Sequence, residues 1–253
     1  MSALQIKNLT IGEGSPKIIV PLISTIKEEL LQEAQVVKGL KPDVVEWRVD
    51  LYENVENLES VKEMISALRL VFGEELLLFT FRSHKEGGSR VITDDFYVQL
   101  NQTAIRTGQI DLVDIELFNE EENVKEILDC AKENGVFIIM SNHDFEKTPE
   151  KEEIVSRLRK MQEYGADIPK IAVMPKSVDD VITLLDATHT MKSQYADRPL
   201  ITMSMGGTGV ISRLAGEVFG SAFTFGAGKE ASAPGQIPVG ELRKVLGILH
   251  GSM

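Results

Sequence analysis

Short apolar segments alternate along the chain with longer amphipathic segments. The eight apolar segments with the length and composition of β-strands are 17–23, 43–48, 76–82, 112–116, 136–143, 168–174, 200–205 and 222–226. The segments between them carry apolar residues three and four positions apart, as helices do. The clearest of these are 26–38, 58–70, 123–132 and 152–164. This alternation predicts βαβ units built around a parallel sheet.

Eight such units in 253 residues match the size of a (β/α)8 barrel, an α/β fold. We expect one domain that spans residues 1–253. An open, doubly wound sheet is the alternative, and a G-x-G-x-x-G turn after the first strand would favour it. Ser24, Thr25 and Ile26 stand there instead. The first dozen residues precede the barrel strands and predict an N-terminal hairpin that closes one end.

Local signals mark several helix ends. Thr148, Pro149 and Glu150 predict an N-cap, a proline at the first helical position and an acid in the first turn. The glycines that follow predicted helices, where a left-handed backbone is common, are Gly39, Gly135 and Gly165.

Several predicted strands have one polar and one apolar face. Because alternate residues point to opposite sides, Glu46 and Arg48 share one face of the second strand and Trp47 lies on the other. The charged residues placed on inward faces of the later strands are Arg82, Asp114, Glu116 and Lys170. A half-exposed antiparallel sheet would show the same alternation, but the intervening helices favour a parallel sheet covered on both faces. The pattern therefore predicts a charged pocket at the carboxyl ends of the strands.

Lys170 is the most informative of these residues because lysine is seldom buried in an apolar strand. Burial disfavours the ammonium form, and a neutral amine can attack a carbonyl carbon to form a Schiff base. A lysine that reaches water, or that pairs with an acid, explains the sequence equally well.

His143 ends the fifth strand, beside the strand of Lys170, and imidazole exchanges protons near neutral pH. A lone histidine is more often a hydrogen-bonded structural residue, and only the neighbouring lysine favours catalysis. In the loop after the third strand, Arg82 could bind substrate oxygens and Glu86 could orient an imidazole. A plain surface loop is the alternative.

Two glycine-rich segments follow the last two strands. Gly206, Gly207 and Gly209 precede a short helical stretch with Arg213, and such a helix start attracts anions. Glycines that simply form a turn would look the same. Residues 226–236 are small and flexible, which predicts a lid over the pocket or else a disordered connection.

Composition narrows the class of protein. The chain has 27 Lys and Arg against 39 Asp and Glu, a net charge of −12, which argues against nucleic acid and anionic membranes as partners. The single cysteine, Cys130, cannot form an intrachain disulfide and suits the cytoplasm. We see neither a signal sequence nor an apolar run near the roughly 18 residues of a membrane span. No His or Cys cluster has zinc spacing, so we expect no metal.

Together the motifs resemble those of the type I 3-dehydroquinate dehydratase family over nearly the whole chain. The matching segments are 46–50, 79–82 with 86–88, 142–145, 169–172, 202–205, 209–216 and 231–236. The last two are the most specific, and the order and spacing of all segments carry more weight than any single motif.

The resemblance implies a (β/α)8 barrel, usually dimeric, that dehydrates 3-dehydroquinate to 3-dehydroshikimate. Lys170 would form an imine with the C3 ketone. His143, oriented by Glu86, would remove the C2 proton and protonate the departing C1 hydroxyl. The substrate-binding set would be Glu46, Arg48 and Arg82 at the ring hydroxyls and carbonyl, Arg213, Ser232 and Gln236 at oxygens including the carboxylate, and Met203, Met205 and Phe225 as apolar walls. We therefore expect a cytoplasmic homodimer with a small-molecule substrate and no cofactor.

Two other functions fit the motifs in part. A barrel aldolase or transaldolase also uses a Schiff-base lysine, but the polar set of Glu46, Arg48 and Arg82 and the lid favour the dehydratase. The non-enzymatic alternative is an inactive barrel that binds metabolites or a partner. The complete catalytic set argues against it.

Overall fold

The computed structural model describes residues 3–253, and within them helices surround a barrel of parallel strands. The strands are β1 (Leu4–Ile6), β2 (Leu9–Ile11), β3 (Lys17–Leu22), β4 (Val44–Arg48), β5 (Leu76–Thr80), β6 (Leu112–Glu116), β7 (Phe137–Asp144), β8 (Ile168–Val173), β9 (Ile201–Ser204), β10 (Phe223–Ala227) and β11 (Ile237–Pro238). The helices are α1 (Lys27–Gly39), α2 (Leu58–Phe72), α3 (Asp94–Arg106), α4 (Glu121–Glu133), α5 (Lys151–Glu163), α6 (Val178–Thr190), α7 (Val210–Leu214), α8 (Gly216–Phe219) and α9 (Val239–His250).

The barrel wall runs from β3 to β10 in chain order. Each strand from β3 to β9 pairs in parallel with the next, and β10 pairs in parallel with β3. A bridge between Leu200 and Ser221 joins the β9 and β10 sides, where the Ala222 amide donates to the Leu200 carbonyl at 2.8 Å. The predicted (β/α)8 barrel is confirmed.

An antiparallel hairpin of β1 and β2 closes the amino-terminal end of the barrel. Ile6 and Ile11 are at most 2% exposed, and they belong to one apolar cluster with the first inward residues of the barrel strands, such as Ile19 and Val44. This burial explains why the hairpin stays on the barrel, and the predicted hairpin is confirmed.

The two faces of each strand pack as the alternation predicts. Trp47 and Phe79 point outward into the layer between sheet and helices, with ring centroids 5.7 Å apart in an edge-on arrangement. Inward residues near the start of the strands, such as Ile19 and Val44, are mostly apolar, whereas several of those further along are polar and buried, as at Glu46 and Asp114. The barrel interior is therefore packed with apolar side chains at its amino-terminal end, the floor, and holds a cavity with polar walls, the chamber, at its carboxyl-terminal end.

Helix ends follow the sequence signals only in part. The N-cap at Thr148 is wrong: α5 begins at Lys151, and the Thr148 hydroxyl donates to the Met174 carbonyl at 3.2 Å. Gly135 and Gly165 have left-handed backbones, but Gly39 is still helical. Among the described residues, no helix is both long and apolar enough to cross a bilayer.

Candidate active site

A pocket of about 590 Å³, its mouth included, opens at the carboxyl ends of the barrel strands. Its lining is Glu46, Arg48, Arg82, Glu86, Gly87, His143, Phe145, Lys170, Ala172, Met203, Met205, Phe225, Ser232, Ala233 and Gln236. All the predicted site residues are in this set except Arg213. The structure thus brings together side chains from strands and loops that lie far apart in sequence.

Lys170 reaches the pocket from the middle of β8 and is 2% exposed. Its Nζ donates to Asp114 Oδ2 at 2.8 Å and lies 4.9 Å from the centroid of the Phe225 ring. The amine is held between a carboxylate and an aromatic face, both of which favour positive charge on nitrogen. The sequence left open whether this lysine pairs with an acid, and the structure shows that it does.

Asp114 accepts three hydrogen bonds and has no exposed surface. Besides Lys170, its donors are Arg82 Nη2 at 2.8 Å and the Ser141 hydroxyl at 2.6 Å. Burial alone would raise the pKa of Asp114, but Arg82 and Lys170 outweigh it and hold that pKa well below its ordinary value. Asp114 is therefore a fixed negative charge beside the amine.

Arg82 organises the acids of the pocket. Its Nη1 donates to Glu116 and Ser141 at 2.8 and 2.9 Å, in addition to the bond from Nη2 to Asp114. Burial would lower its pKa, but Asp114, Glu116 and Glu86 raise that pKa well above its usual value. These Arg82 donors already serve protein acceptors, so the residue acts first as part of the wall.

His143 and Glu86 form a hydrogen-bonded pair. Nδ1 of His143 lies 2.8 Å from Oε2 of Glu86, and the His143 amide donates to the same oxygen at 3.0 Å. The neighbouring Asn142 side chain donates to Glu86 Oε1 at 3.1 Å. With Nδ1 engaged by Glu86, Nε2 is the ring nitrogen left for proton exchange.

Burial sets the protonation of this pair. It lowers the pKa of His143 well below the usual range, and the cations Arg82 and Lys170 act in the same direction. It raises the pKa of Glu86 to about 8, with Glu116 adding to the rise and Arg82 opposing it. Groups that share a hydrogen bond titrate together. The pair can therefore exchange a proton close to neutral pH, as a general acid–base group must.

Glu46 and Arg48 project inward from the end of β4. Arg48 donates from Nε and Nη2 to the two carboxylate oxygens of Asp50, each at 2.8 Å. Although burial acts to lower the pKa of Arg48, the hydrogen bond and charge of Asp50 raise it. Glu46 accepts from the Thr80 hydroxyl at 3.0 Å. Both side chains line the chamber, where they offer an acceptor and a cation to polar groups.

Of the predicted lid, residues 226–236, the first two belong to β10, and Ser232, Ala233 and Gln236 line the pocket. The remaining segment, 228–236, is called the lid below. The Ser232 amide donates to Gln236 Oε1 and Gln236 Nε2 donates to the Ser232 hydroxyl, both at 2.9 Å. The Pro234 carbonyl accepts from the Gly206 amide at 3.2 Å and from Arg213 Nη2 at 3.0 Å. The lid is thus fastened to the loop after β9.

Arg213 stands behind this lid and is 2% exposed. Its Nη1 lies 3.9 Å from the Met203 sulfur, its Nε has no hydrogen-bond partner, and no carboxylate lies within 4.0 Å of it among the described residues. Burial lowers its pKa to about 10. A buried cation without a counter-charge favours an anion at this edge of the pocket.

Four contributors to the site were not predicted from the sequence. Asp114 was placed on an inward face but given no role, and Ser141, Asn142 and Phe145 were not selected. For Asp114 and Ser141 the available signal was an inward position on β6 and β7, whereas Asn142 lies on the outward face of β7 and Phe145 follows that strand. Within residues 3–253, no group of three or more His, Cys, Asp or Glu is arranged to hold a metal ion.

Comparison with known proteins gives one consistent result. A family described as type I 3-dehydroquinase matches residues 18–253. The 3-dehydroquinate dehydratase of Bacillus velezensis is 64% identical over 253 residues, with all of both chains covered, and that of Bacillus subtilis is 61% identical over 250 residues, covering 99% and 98%. A solved type I 3-dehydroquinate dehydratase from Clostridium difficile, with covalently modified comenic acid, has a TM-score of 0.97 at 55% identity, covering 100% and 99%.

Proposed function

The chain belongs to the type I 3-dehydroquinase family of hydro-lyases, and from that premise we propose how its own residues remove water from 3-dehydroquinate. Lys170 forms the Schiff base, and His143 is the general acid and base, oriented by Glu86. The observation that carries this assignment is the buried Lys170 amine beside Asp114, in the same pocket as the His143–Glu86 pair.

The reaction conserves atoms in four steps. The neutral amine of Lys170 adds to the C3 ketone, and the adduct takes up one proton and loses water to give an iminium. His143 takes the C2 proton, and the electron pair of that bond moves toward the iminium nitrogen. The pair then expels the C1 hydroxyl, which leaves as water with the proton from His143. Water hydrolyses the conjugated iminium, releasing 3-dehydroshikimate, the free amine and the proton taken up in the first step.

The surroundings of Lys170 support positive charge on the iminium nitrogen. Asp114 lies 2.8 Å from Nζ and stays ionised at all working pH values, since its pKa is far below the usual range. The Phe225 ring offers its negative face to the same atom. Both groups stabilise the charged iminium relative to the neutral ketone, so they lower the free energy of forming this intermediate.

The substrate fits between the catalytic groups and the lid. In our proposal, Glu46, Arg48 and Arg82 contact the ring hydroxyls and the carbonyl region of the substrate. Arg213 takes the carboxylate with Ser232 and Gln236, and Met203, Met205 and Phe225 close the apolar sides. The buried guanidinium of Arg213, whose Nε has no hydrogen-bond partner, supports this role because a substrate carboxylate would supply the missing counter-charge.

Borohydride trapping tests the covalent step. The protein is mixed with 3-dehydroquinate, reduced, digested and analysed by peptide mass spectrometry, while an unreduced sample is followed for the conjugated enone of the product. We expect one adduct, on Lys170, and enone formation. Lys170→Met should abolish both and keep the fold, whereas the exposed control Lys176→Met should retain both. Continued turnover of Lys170→Met, or an adduct on another lysine, would remove Lys170 from the mechanism.

The two alternative functions lose their support at this point. The relatives named above are dehydratases, which separates this chain from barrel aldolases and from inactive barrels. We further propose that the enzyme works as a homodimer in the cytoplasm without a cofactor. Light scattering after size-exclusion chromatography would give twice the chain mass for the dimer and the chain mass for a monomer.

A further inference from the structure

Arg157 on α5 lies behind the strand that carries His143. Its Nη1 donates to Asn142 Oδ1 at 2.9 Å, and its Nε donates to Glu153 at 2.7 Å. The guanidinium also lies 5.3 Å from the centroid of the Phe118 ring. These three contacts fix Arg157 against the rear of Asn142, outside the pocket.

Asn142 bridges Arg157 to the pocket. It is 3% exposed, and its Nδ2 donates to Glu86 Oε1 at 3.1 Å. An arginine side chain has donors and no acceptor, so the amide atom that faces it must be the oxygen. The amide nitrogen must then face Glu86. Because the two amide orientations have nearly the same shape, the hydrogen bond from Arg157 selects between them where packing does not.

We propose that Arg157 is a positioning residue for proton transfer by His143, acting through the orientation of Asn142. In that orientation Asn142 donates to Glu86 and supports its carboxylate form. Without Arg157 the amide can turn over and present its oxygen to Glu86, an arrangement that is satisfied only when Glu86 is protonated. This inference rests on the proposed roles of His143 and Glu86.

The charges around Glu86 leave room for such control. Arg82 faces it from the end of β5, Asp114 and Glu116 from β6, and His143 from β7. Two of these four groups are acids that disfavour a further negative charge. Burial and Glu116 raise the pKa of Glu86 to about 8, and the Asn142 hydrogen bond opposes that rise. A neutral donor therefore acts on a group close to its point of protonation.

Substitution of Arg157 tests the proposal in the whole enzyme. For Arg157→Met we expect kcat about tenfold lower, KM within about twofold, and the acid limb of the kcat–pH profile about one unit higher, the size of one charge-assisted hydrogen bond. Arg157→Lys keeps a donor and should recover most of the rate and the original profile. Borohydride trapping at Lys170 should match the parent enzyme in both variants, since the amine is untouched.

Two matched controls separate positioning from packing. Arg159→Met removes a cation from the same helix, where it stacks on Tyr195 at 4.7 Å, and should leave kcat and the profile unchanged. Glu153→Gln breaks the ion pair of Arg157 but leaves its hydrogen bond to Asn142. This variant should also leave kcat and the pH profile unchanged. A parental profile for Arg157→Met, or equal losses in Glu153→Gln, would overturn the positioning role. Absence of a Lys170 adduct in the parent enzyme would instead overturn the proposed function.

Discussion

Nζ of Lys170 lies 2.8 Å from Oδ2 of Asp114, and neither side chain is more than 3% exposed. The two residues stand on β8 and β6, with β7 between them, so the contact crosses the inside of the barrel. A buried ion pair of this kind costs solvation when it forms, and it becomes a liability when one partner is removed. The contact between Lys170 and Asp114 therefore affects both the stability of the fold and the proposed reaction of the Lys170 amine.

Asp114→Asn should lower the free energy of unfolding by about 3–5 kcal/mol at pH 7, because Lys170 and Arg82 then lose their shared anion. The pKa of Asp114 is lower in the folded than in the unfolded protein. Its contribution is therefore present above about pH 4 and is lost as the pH falls further. Urea denaturation at pH 7 and pH 3 measures both effects. The exposed control Asp129→Asn should change stability by less than about 0.5 kcal/mol, and an equally mild Asp114→Asn would contradict the account.

His143→Ala should lower kcat by roughly 10²- to 10⁴-fold, the usual contribution of a general acid–base group. Imine formation at Lys170 does not need the C2 proton to leave, so borohydride should still trap the adduct. The exposed His84, on the turn next to Glu86, provides the control His84→Ala, which should keep normal turnover. Normal turnover by His143→Ala would exclude His143 as the base.

The value of kcat/KM should rise with pH and level off above about pH 8. The pKa of Glu86 is raised to about 8 and that of His143 is lowered, so the pair sheds its extra proton in this range. What remains is a neutral imidazole held by a carboxylate, the form that can accept a proton. Glu86→Gln should remove this limb and slow turnover roughly a hundredfold. An identical limb in Glu86→Gln would assign the titration to another group.

Arg213→Met should raise KM about 30-fold or more, because the substrate carboxylate loses its charged donor. The same change should stabilise the free enzyme by about 1 kcal/mol or more, since burial lowers the pKa of Arg213 and its charge disfavours the fold at neutral pH. Thermal melting and steady-state kinetics give the two readings. A variant that melts earlier with an unchanged KM would show that Arg213 is structural.

Gly235→Ala should loosen the lid. Gly235 has a φ of +81°, and an added Cβ would come within 2.4 Å of the Gly206 carbonyl oxygen. The lid could then no longer seat on the loop after β9, so we expect faster proteolysis within 228–236 and a KM about tenfold higher. Gly240→Ala on α9 meets nothing within 4 Å and serves as the control. Unaltered proteolysis and KM would mean that this contact does not hold the lid.

The sequence predicted the barrel and most of the pocket because both depend on simple periodicities. Strand alternation alone put Glu46 and Lys170 on inward faces of their strands. The partner of Lys170 could not be predicted, since Asp114 lies two strands away and reaches it only through the curvature of the sheet. Thr148 failed as a cap for a related reason: its hydroxyl found an acceptor, the Met174 carbonyl, that is distant in sequence.

Among the described residues, the hairpin seals the amino-terminal end of the barrel and leaves the pocket open at the carboxyl ends of the strands. With Ile6 and Ile11 packed across the floor, everything in the chamber passes the mouth that the segment 228–236 covers. Substrate enters and product and the eliminated water leave through this same mouth. The product must therefore leave before the next substrate can bind. We therefore expect the segment 228–236 to open and close in every turnover, a step that faster chemistry at Lys170 would not accelerate.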